Sequence, residues 1–287
     1  MIGKYGAIAG LCAAAALLLA APGIGLGWGV PIALLLIAGA GATAFAWPIL
    51  DPAAIDAPMA PLIALVGCDG SGKSTLSNDI IAKFSPERRI ALCYLGLGSG
   101  ELGARIKRWP LIGIRLERRI AKRAGQTRTA GRTIPGFGTA LVVYLFSVVR
   151  LRRFRRVLAL RRRGVTVVTD RYPQIEVAGF YDGPGLAAGR PGNRAVAALA
   201  RQEMRMYRWM ASFLPDVVIR LNVDLETAYA RKPDHGYELL RRKVEVTPSL
   251  RFNGAPIVDL DSREPYPIVR AAADRIVRQT LDTASAR

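Results

Sequence analysis

The sequence predicts an α/β fold built on a parallel β-sheet with helices on both faces. Strand-like apolar runs recur at residues 62–66, 90–95, 165–169, 216–222 and 256–260. Helical patterns lie between these runs, and the first run ends in a glycine-rich turn that leads into a further helical pattern. Because ligands of such sheets bind beyond the carboxyl ends of the strands, we expect the functional site at that edge.

The glycine-rich turn matches a nucleotide-binding pattern. Residues 67–75 read Gly-Cys-Asp-Gly-Ser-Gly-Lys-Ser-Thr and fit Gly-x-x-x-x-Gly-Lys-[Ser/Thr] at every fixed position. Glycines let such a loop aim backbone N–H groups at phosphate oxygens, while Lys73 places a charge on the phosphates and Ser74 can ligate Mg²⁺. The flanking strand and a helix predicted from Lys73 to Phe84 disfavour a chance match. The sequence therefore predicts a P-loop for ATP and Mg²⁺, with the binding candidates Gly67, Cys68, Asp69, Gly70, Ser71, Gly72, Lys73, Ser74 and Thr75.

The composition indicates an anionic partner. The chain has 41 Lys and Arg residues against 22 Asp and Glu residues, a formal net charge of +19. Lipid headgroups, nucleic acid and phosphorylated substrates all fit such an excess. Cys12, Cys68 and Cys93 form no spaced pair, so we expect neither a disulfide framework nor a zinc site, and a reducing compartment is the simplest interpretation. The single histidine, His235, is expected to be polar surface.

Residues 1–50 are predicted to form a transmembrane helical hairpin. Two apolar stretches, at 6–22 and about 29–50, contain no charged residue and are separated by a glycine-rich turn. The first is short for a membrane span and the second has the usual length, while Trp28 and Trp47 suit membrane–water interfaces. A cleaved signal peptide is the main alternative. The second apolar stretch disfavours it, and export would separate the P-loop from its ATP.

A proline-containing linker at 51–61 joins this hairpin to a domain predicted at 62–287. At about 3 Å per residue the linker spans only about 30 Å, so the domain must lie close to the bilayer. Lys4 and the basic residues beyond the P-loop agree with the positive-inside rule. We therefore expect the protein at the inner (cytoplasmic) membrane, with the domain facing the cytoplasm and its ATP.

A basic insertion at about residues 97–164 separates the second and third predicted strands. Its first part, Arg105 to Arg123, mixes apolar and basic residues, and a helix is predicted from about Thr139 to Arg163 with an apolar first half and an arginine-rich second half. Beside a membrane anchor, this pattern favours contact with lipid headgroups. The alternatives are a solvated helix face whose apolar half belongs to the core, and nucleic acid, which no accompanying motif supports.

A second polar cluster, Asp170-Arg171-Tyr172, follows the third predicted strand. An Asp at the end of a buried strand is where a P-loop enzyme holds Mg²⁺ or its water, so Asp170 joins Ser74 as a candidate metal residue. The adjacent Arg171 can bind a phosphate bidentately. A structural helix N-cap is the alternative role for Asp170.

The P-loop followed by Asp-Arg-Tyr resembles the thymidylate kinase family of nucleoside monophosphate kinases. The resemblance covers roughly residues 60–285, and residues 216–231 also resemble the family's fourth strand and the helix that leads into its lid. It implies the three-layer parallel-sheet fold of P-loop nucleotide kinases. Here that fold would follow the two-helix transmembrane hairpin.

The resemblance also implies roles for single residues. Asp69 would face the acceptor sugar, Asp170 would serve the metal and the acceptor phosphate, and Arg171 would bind the acceptor phosphate. Because this P-loop carries no arginine, a transition-state cation would come from the lid. With Lys73, the candidate catalytic residues are then Lys73, Asp170, Arg171, Arg231, Arg241 and Arg242.

We therefore expect an ATP/Mg²⁺-dependent phosphotransferase that transfers the γ-phosphate of ATP to a nucleoside monophosphate, dTMP-like acceptor. Three departures from the family fall at acceptor-recognition positions: Val66 replaces an acidic residue, residues 94–101 lack an Arg-Glu-Pro segment, and no Ser/Ala-Tyr-Gln signature follows Tyr172. A membrane-tethered kinase of a saccharide or lipid-linked acceptor, and a P-loop regulatory ATPase, stay open as alternatives. A homodimer is also compatible with this interpretation.

Overall fold

A computed structural model describes residues 59–96, 134, 136–179, 181–234 and 236–286. The predicted hairpin at 1–50, most of the linker, the first part of the basic insertion and His235 lie outside the described residues. Within the described ranges, no helix is both long and apolar enough to cross a membrane.

Five strands form one parallel sheet in the order β2-β3-β1-β4-β5. Each of the five sequence-predicted strands is confirmed to within one residue at either end. The first strand lies at the centre and is buried along its whole length, which explains its unbroken apolar run. The strands are β1 Leu62–Gly67, β2 Ile90–Tyr94, β3 Thr166–Asp170, β4 Val217–Asn222 and β5 Ile257–Asp261.

Helices connect the strands. The predicted helix from Lys73 to Phe84 is confirmed, and the one predicted from Thr139 to Arg163 is observed from Phe137 to Arg162. Side chains of Asn193 and Asp224 cap two of the helices by accepting hydrogen bonds from their first-turn N–H groups. The helices are α1 Lys73–Phe84, α2 Phe137–Arg162, α3 Arg194–Ala211, α4 Leu225–Arg231, α5 Tyr237–Val246 and α6 Tyr266–Ser285, with 3₁₀ turns at Leu186–Ala188, Thr247–Ser249 and Phe252–Gly254.

The side chains of the central strand β1 pack into two hydrophobic layers, because they alternate between the two faces of the sheet. Ile63 and Leu65 pack with α1 and α6 on one face. Leu62, Ala64 and Val66 pack with α2 and α3 on the other face. The result is a three-layer α/β arrangement, with the parallel sheet between two layers of helices.

The long helix α2 belongs to this core. Its apolar first half, including Val143, Tyr144 and Val148, is buried against α3. Two arginines of its second half are also buried. Arg150 donates hydrogen bonds to the hydroxyl of Tyr207 and to a backbone carbonyl, and Arg161 donates one to another carbonyl. Core packing, one of the alternatives for the apolar half, is therefore what the structure shows.

Candidate active site

The P-loop lies at the carboxyl end of β1, against the backbone of α4. Gly70 has a φ of +87°, and a Cβ added there would lie 2.8 Å from the carbonyl oxygen of Ala228. Gly72 has a similar φ of +85° but has open space around it. Since α1 begins at Lys73, its first-turn N–H groups are available to an anion. The loop therefore has the backbone shape and the helix terminus that a phosphate site needs.

Lys73 is buried and held against its own loop. Its Nζ donates a hydrogen bond of 2.6 Å to the carbonyl oxygen of Cys68 and lies 3.4 Å from the Oγ of Ser71. Burial and the neighbouring Arg171 both lower the pKa of Lys73. A phosphate that replaced the carbonyl as its partner would bring a compensating negative charge.

Ser74 and Asp170 meet across the carboxyl ends of β1 and β3. The register pairs Leu65 with Asp170, and the Oγ of Ser74 donates a hydrogen bond of 3.1 Å to Oδ2 of Asp170. The other carboxylate oxygen, Oδ1, is buried and has no hydrogen-bond partner. The hydroxyl and the carboxylate are hard oxygen donors of the kind that Mg²⁺ prefers, so these two residues fit the predicted ion.

The remaining ligands of such an ion would not come from a cluster of protein side chains. The described ranges contain no group of three or more His, Cys, Asp or Glu residues that could hold a metal. Mg²⁺ commonly binds through one or two protein oxygens together with substrate phosphates and water. The pair Ser74 and Asp170 therefore suits an ion that arrives with a nucleotide.

Arg171 lies at the centre of a charge network. It has a φ of +75°, and its Nη2 donates a 3.1 Å hydrogen bond to Oδ1 of Asp69, while its Nη1 lies 3.7 Å from Oδ2 of Asp182. The charge of Asp182 raises the pKa of Arg171 despite its burial. Its Nε is buried without a hydrogen-bond partner. Arg171 therefore stays cationic beside the P-loop.

Lys243 of α5 completes this network by an ion pair with the second oxygen of Asp69. Burial alone would raise the pKa of Asp69, but Lys243 and Arg171 together lower it well below its usual range. Asp69 thus joins the P-loop to the end of β3 and to α5. Sequence reasoning missed Lys243, although helical spacing indicates it, since it lies three residues after Leu240, the buried residue of α5.

The three predicted lid arginines take different positions. Arg231 lies beside the P-loop, where it donates hydrogen bonds to the carbonyl oxygens of Gly70 (3.2 Å) and Ser262 (3.0 Å). Arg241 faces solvent and pairs with Glu238 and Glu245 of its own helix, and Arg242 is also exposed. The structure therefore brings Arg231, and not Arg241, to the nucleotide loop.

A cavity of about 290 Å³ opens between the P-loop and the segment that joins β5 to α6. Arg231 lines it together with Thr75, Ser262 and Tyr266. The hydroxyl of Tyr266 donates a 2.6 Å hydrogen bond to Asp79 of α1, which fixes the ring at the rim of the cavity. The cavity is continuous with the glycines of the P-loop, because Gly70 and Gly72 are part of its lining.

Two further residues of the network were not predicted. Asp182 forms an ion pair with the fully buried Arg150 of α2 as well as with Arg171. Arg150 belongs to the arginine run that the sequence assigned to an exposed basic surface. Neither Asp182 nor Arg150 belongs to a sequence motif, and their contact arises only because the fold brings α2 to the end of β3.

The loop and the sheet define this chain as a P-loop protein, and comparison with known proteins places it in a family. No protein-family model matches the chain. The uncharacterized ATP-binding protein YghR of Escherichia coli K12 is 44% identical over 217 residues, which cover 75% of this chain and 86% of YghR. The uncharacterized ATP-binding protein YghS of the same strain is 43% identical over 221 residues, 77% of this chain and 93% of YghS. This chain belongs to the family of these two ATP-binding proteins.

Among solved structures, deoxyadenosine kinase from M. mycoides with bound dATP aligns with 76% of this chain and 99% of its own, at a TM-score of 0.44 and 15% identity.

Proposed function

We propose that the protein is an ATP- and Mg²⁺-dependent kinase that transfers the γ-phosphate of ATP to a small, nucleotide-like acceptor. One observation carries the proposal: Ser74 and Asp170 lie in contact at the end of the P-loop strand, and one carboxylate oxygen of Asp170 is buried and unpaired. That arrangement suits an ion on the phosphates of a nucleotide. The ATP-binding names of YghR and YghS support the same donor.

ATP would bind with its phosphates on the P-loop and its base in the adjoining cavity. Lys73 would exchange the carbonyl of Cys68 for phosphate oxygens, an exchange of a neutral acceptor for an anionic one. Arg231 would contact the part of the nucleotide nearest the cavity. Its guanidinium bonds to Gly70 of the P-loop and to Ser262, which lie on opposite walls of that cavity. Bound Mg²⁺ would be held by Ser74 and Asp170 and would neutralise charge on the phosphates.

The acceptor would lie on the other side of the P-loop, near Asp69 and Arg171. A carboxylate at Asp69 suits a sugar hydroxyl, and the guanidinium of Arg171, with its unpaired Nε, suits a phosphate. An acceptor phosphate is already anionic at neutral pH and needs no strong general base. Catalysis would then rest on positioning by these residues and on charge stabilisation by Lys73.

The nucleotide acceptor that we propose is a nucleoside monophosphate of the dTMP type. The resemblance at the P-loop and at Asp170-Arg171-Tyr172 favours it. A saccharide or lipid-linked acceptor is the second candidate, because the acceptor-recognition departures at Val66 and residues 94–101 favour a different ligand. An alcohol acceptor would need a base, for which Asp170 or Asp69 would serve.

The test is ATP consumption by the domain from residue 57 onward, with and without dTMP, beside a Lys73→Ala variant. We expect stimulation by dTMP that the variant abolishes. Arg231→Ala should weaken ATP binding, while Arg241→Ala, a matched change on the exposed face of α5, should leave it unchanged. If the domain binds ATP but dTMP does not stimulate ATP consumption, the saccharide or lipid-linked acceptor is favoured instead. Absence of ATP binding would refute the proposal.

A further inference from the structure

The arginine-rich half of α2 carries buried, half-buried and exposed arginines, and some of the exposed ones lie on one side of the helix. Arg150 and Arg161 are buried. Arg152, Arg156 and Arg163 are exposed, and we call these three residues the basic stripe. Arg152 and Arg156 lie in α2, and Arg163 directly follows its last residue. Spacings of four and seven residues place the three on one side, away from the buried side that packs on the sheet. The stripe is therefore a row of three cations along one side of α2.

No carboxylate neutralises the basic stripe from within its own helix. The sequence from Phe137 to Thr169 contains no Asp or Glu, and no ion pair joins the stripe to any residue in the described ranges. Solvated protein surfaces usually mix charges of both signs. A single-sign surface of this kind points to an anionic partner.

The N-terminal part of the chain reaches the domain at one end of the basic stripe. The N–H of Ala60 donates a 3.1 Å hydrogen bond to the carbonyl of Arg161, whose Nε donates a 2.6 Å hydrogen bond to the carbonyl of Ala60. Arg161 also bonds to Asp216 at 3.2 Å. Residue 60 is thus fastened to the last turn of α2, within two residues of Arg163. The apolar stretches at 6–22 and 29–50 precede this point by only a short linker.

We propose that the basic stripe docks on the surface of an anionic lipid bilayer to which the apolar stretches attach the chain. The bilayer is the partner because those stretches, joined to residue 60, hold the stripe within linker length of a membrane. The contact is electrostatic, because the apolar side of α2 is buried in the core and cannot insert into lipid. The proposal does not depend on phosphotransfer.

The test uses the full-length chain, carrying Cys12→Ser, in vesicles of phosphatidylcholine alone or mixed with phosphatidylglycerol. A donor dye is attached at Ala159→Cys, in the exposed middle of the stripe, or at Ala271→Cys, exposed on α6 across the sheet. Cys68 and Cys93 are buried and are not labelled under native conditions. Energy transfer to a headgroup-linked acceptor is measured at about 0.15 M and about 1 M salt, because high salt screens surface charge.

We expect phosphatidylglycerol to raise energy transfer at position 159, but not at 271, and high salt to abolish the rise. Replacing Arg152, Arg156 and Arg163 by Gln should weaken docking by about 100-fold, at about fivefold for each cation. A control triple of exposed arginines elsewhere, Arg190, Arg194 and Arg275 to Gln, should keep the rise.

Three results would overturn the proposal: equal transfer at both dye positions, no dependence on phosphatidylglycerol, or a stripe variant that behaves like the control. Loss of binding to a short RNA in the stripe variant, with lipid dependence retained, would make the stripe a nucleic-acid surface and would also overturn it. ATP binding, measured on each variant, serves as the folding control. If the unmodified chain did not bind ATP, the proposed kinase function would be contradicted, but membrane docking of the basic stripe would not.

Discussion

Replacing Lys243 by methionine removes the ammonium group that joins α5 to the P-loop while keeping most of the side-chain volume. The side chains of Lys243 and Asp69 are 20% and 12% exposed, so solvent screens their ion pair only in part. Two charges about 4 Å apart attract by about 4 kcal/mol at an effective dielectric constant near 20. Desolvation of both ions cancels much of this gain.

Lys243→Met should lower the free energy of unfolding by less than a substitution that leaves a buried charge without any partner. After the substitution, Asp69 keeps its 3.1 Å hydrogen bond from Arg171, so its carboxylate is not left unpaired. We therefore expect the free energy of unfolding to fall by about 1–3 kcal/mol, less than the ~3–5 kcal/mol typical of a broken buried pair. Arg242→Met, on the exposed side of the same helix, is the matched control and should change stability by less than about 0.5 kcal/mol.

The ion pair between Lys243 and Asp69 should also make the free energy of unfolding depend on pH. The pKa of Asp69 is lowered in the folded state, so the stability that the pair contributes is complete above the ordinary Asp pKa of about 4 and is lost as the pH falls below it. The assay is urea unfolding of the domain from residue 57, monitored by circular dichroism. It is applied to a double-mutant cycle of Lys243→Met and Asp69→Asn. A coupling energy below about 0.5 kcal/mol at pH 7, or one that persists undiminished near pH 2, would refute the reasoning.

Three further predictions concern the P-loop and its neighbours. Gly70→Ala should lower the free energy of unfolding by about 1–3 kcal/mol more than Gly72→Ala, because both have a positive φ but only a Cβ at Gly70 would meet the backbone of Ala228; equal losses would contradict this. Burial raises the pKa of Cys68 to about 11, so at pH 8 iodoacetamide should alkylate its thiol on the order of 100-fold more slowly in the native than in the urea-unfolded protein. Arg171→Ala should raise the KM for the acceptor more than that for ATP in a coupled kinase assay, and unchanged acceptor kinetics would remove the residue from the acceptor site.

Much of the fold could be predicted because the three central strands β1, β3 and β4 are buried on both faces of the sheet. An unbroken apolar run such as β1 has no other stable location, and the glycine pattern after it fixes the loop. The sequence also places Ser74 and Asp170 at the carboxyl edge of the sheet as candidate metal residues. That they are in contact depends on β3 lying next to β1, which only the structure shows.

The charge network could not be predicted in the same way. Its members come from the P-loop, α2, α5 and the segment after β3, and no local pattern shows which cations of a basic helix become buried. Arg150 is buried and Arg152 exposed, although they are only two residues apart in an arginine-rich run. The 3.6-residue period separates such neighbours, but the side that becomes buried is decided by the sheet beneath α2.

The candidate site joins parts of the chain that leave the ribosome at different times. Asp170 follows Ser74 by 96 residues, and Lys243 follows Asp69 by 174. At about 5–20 residues per second, a nascent P-loop waits roughly 10–35 s for its lysine partner on α5. Residues 1–50 emerge long before that. Synthesis therefore delivers the apolar stretches long before α5 completes the site, and a product cut short before α5 has a P-loop that lacks its ion pair with Lys243.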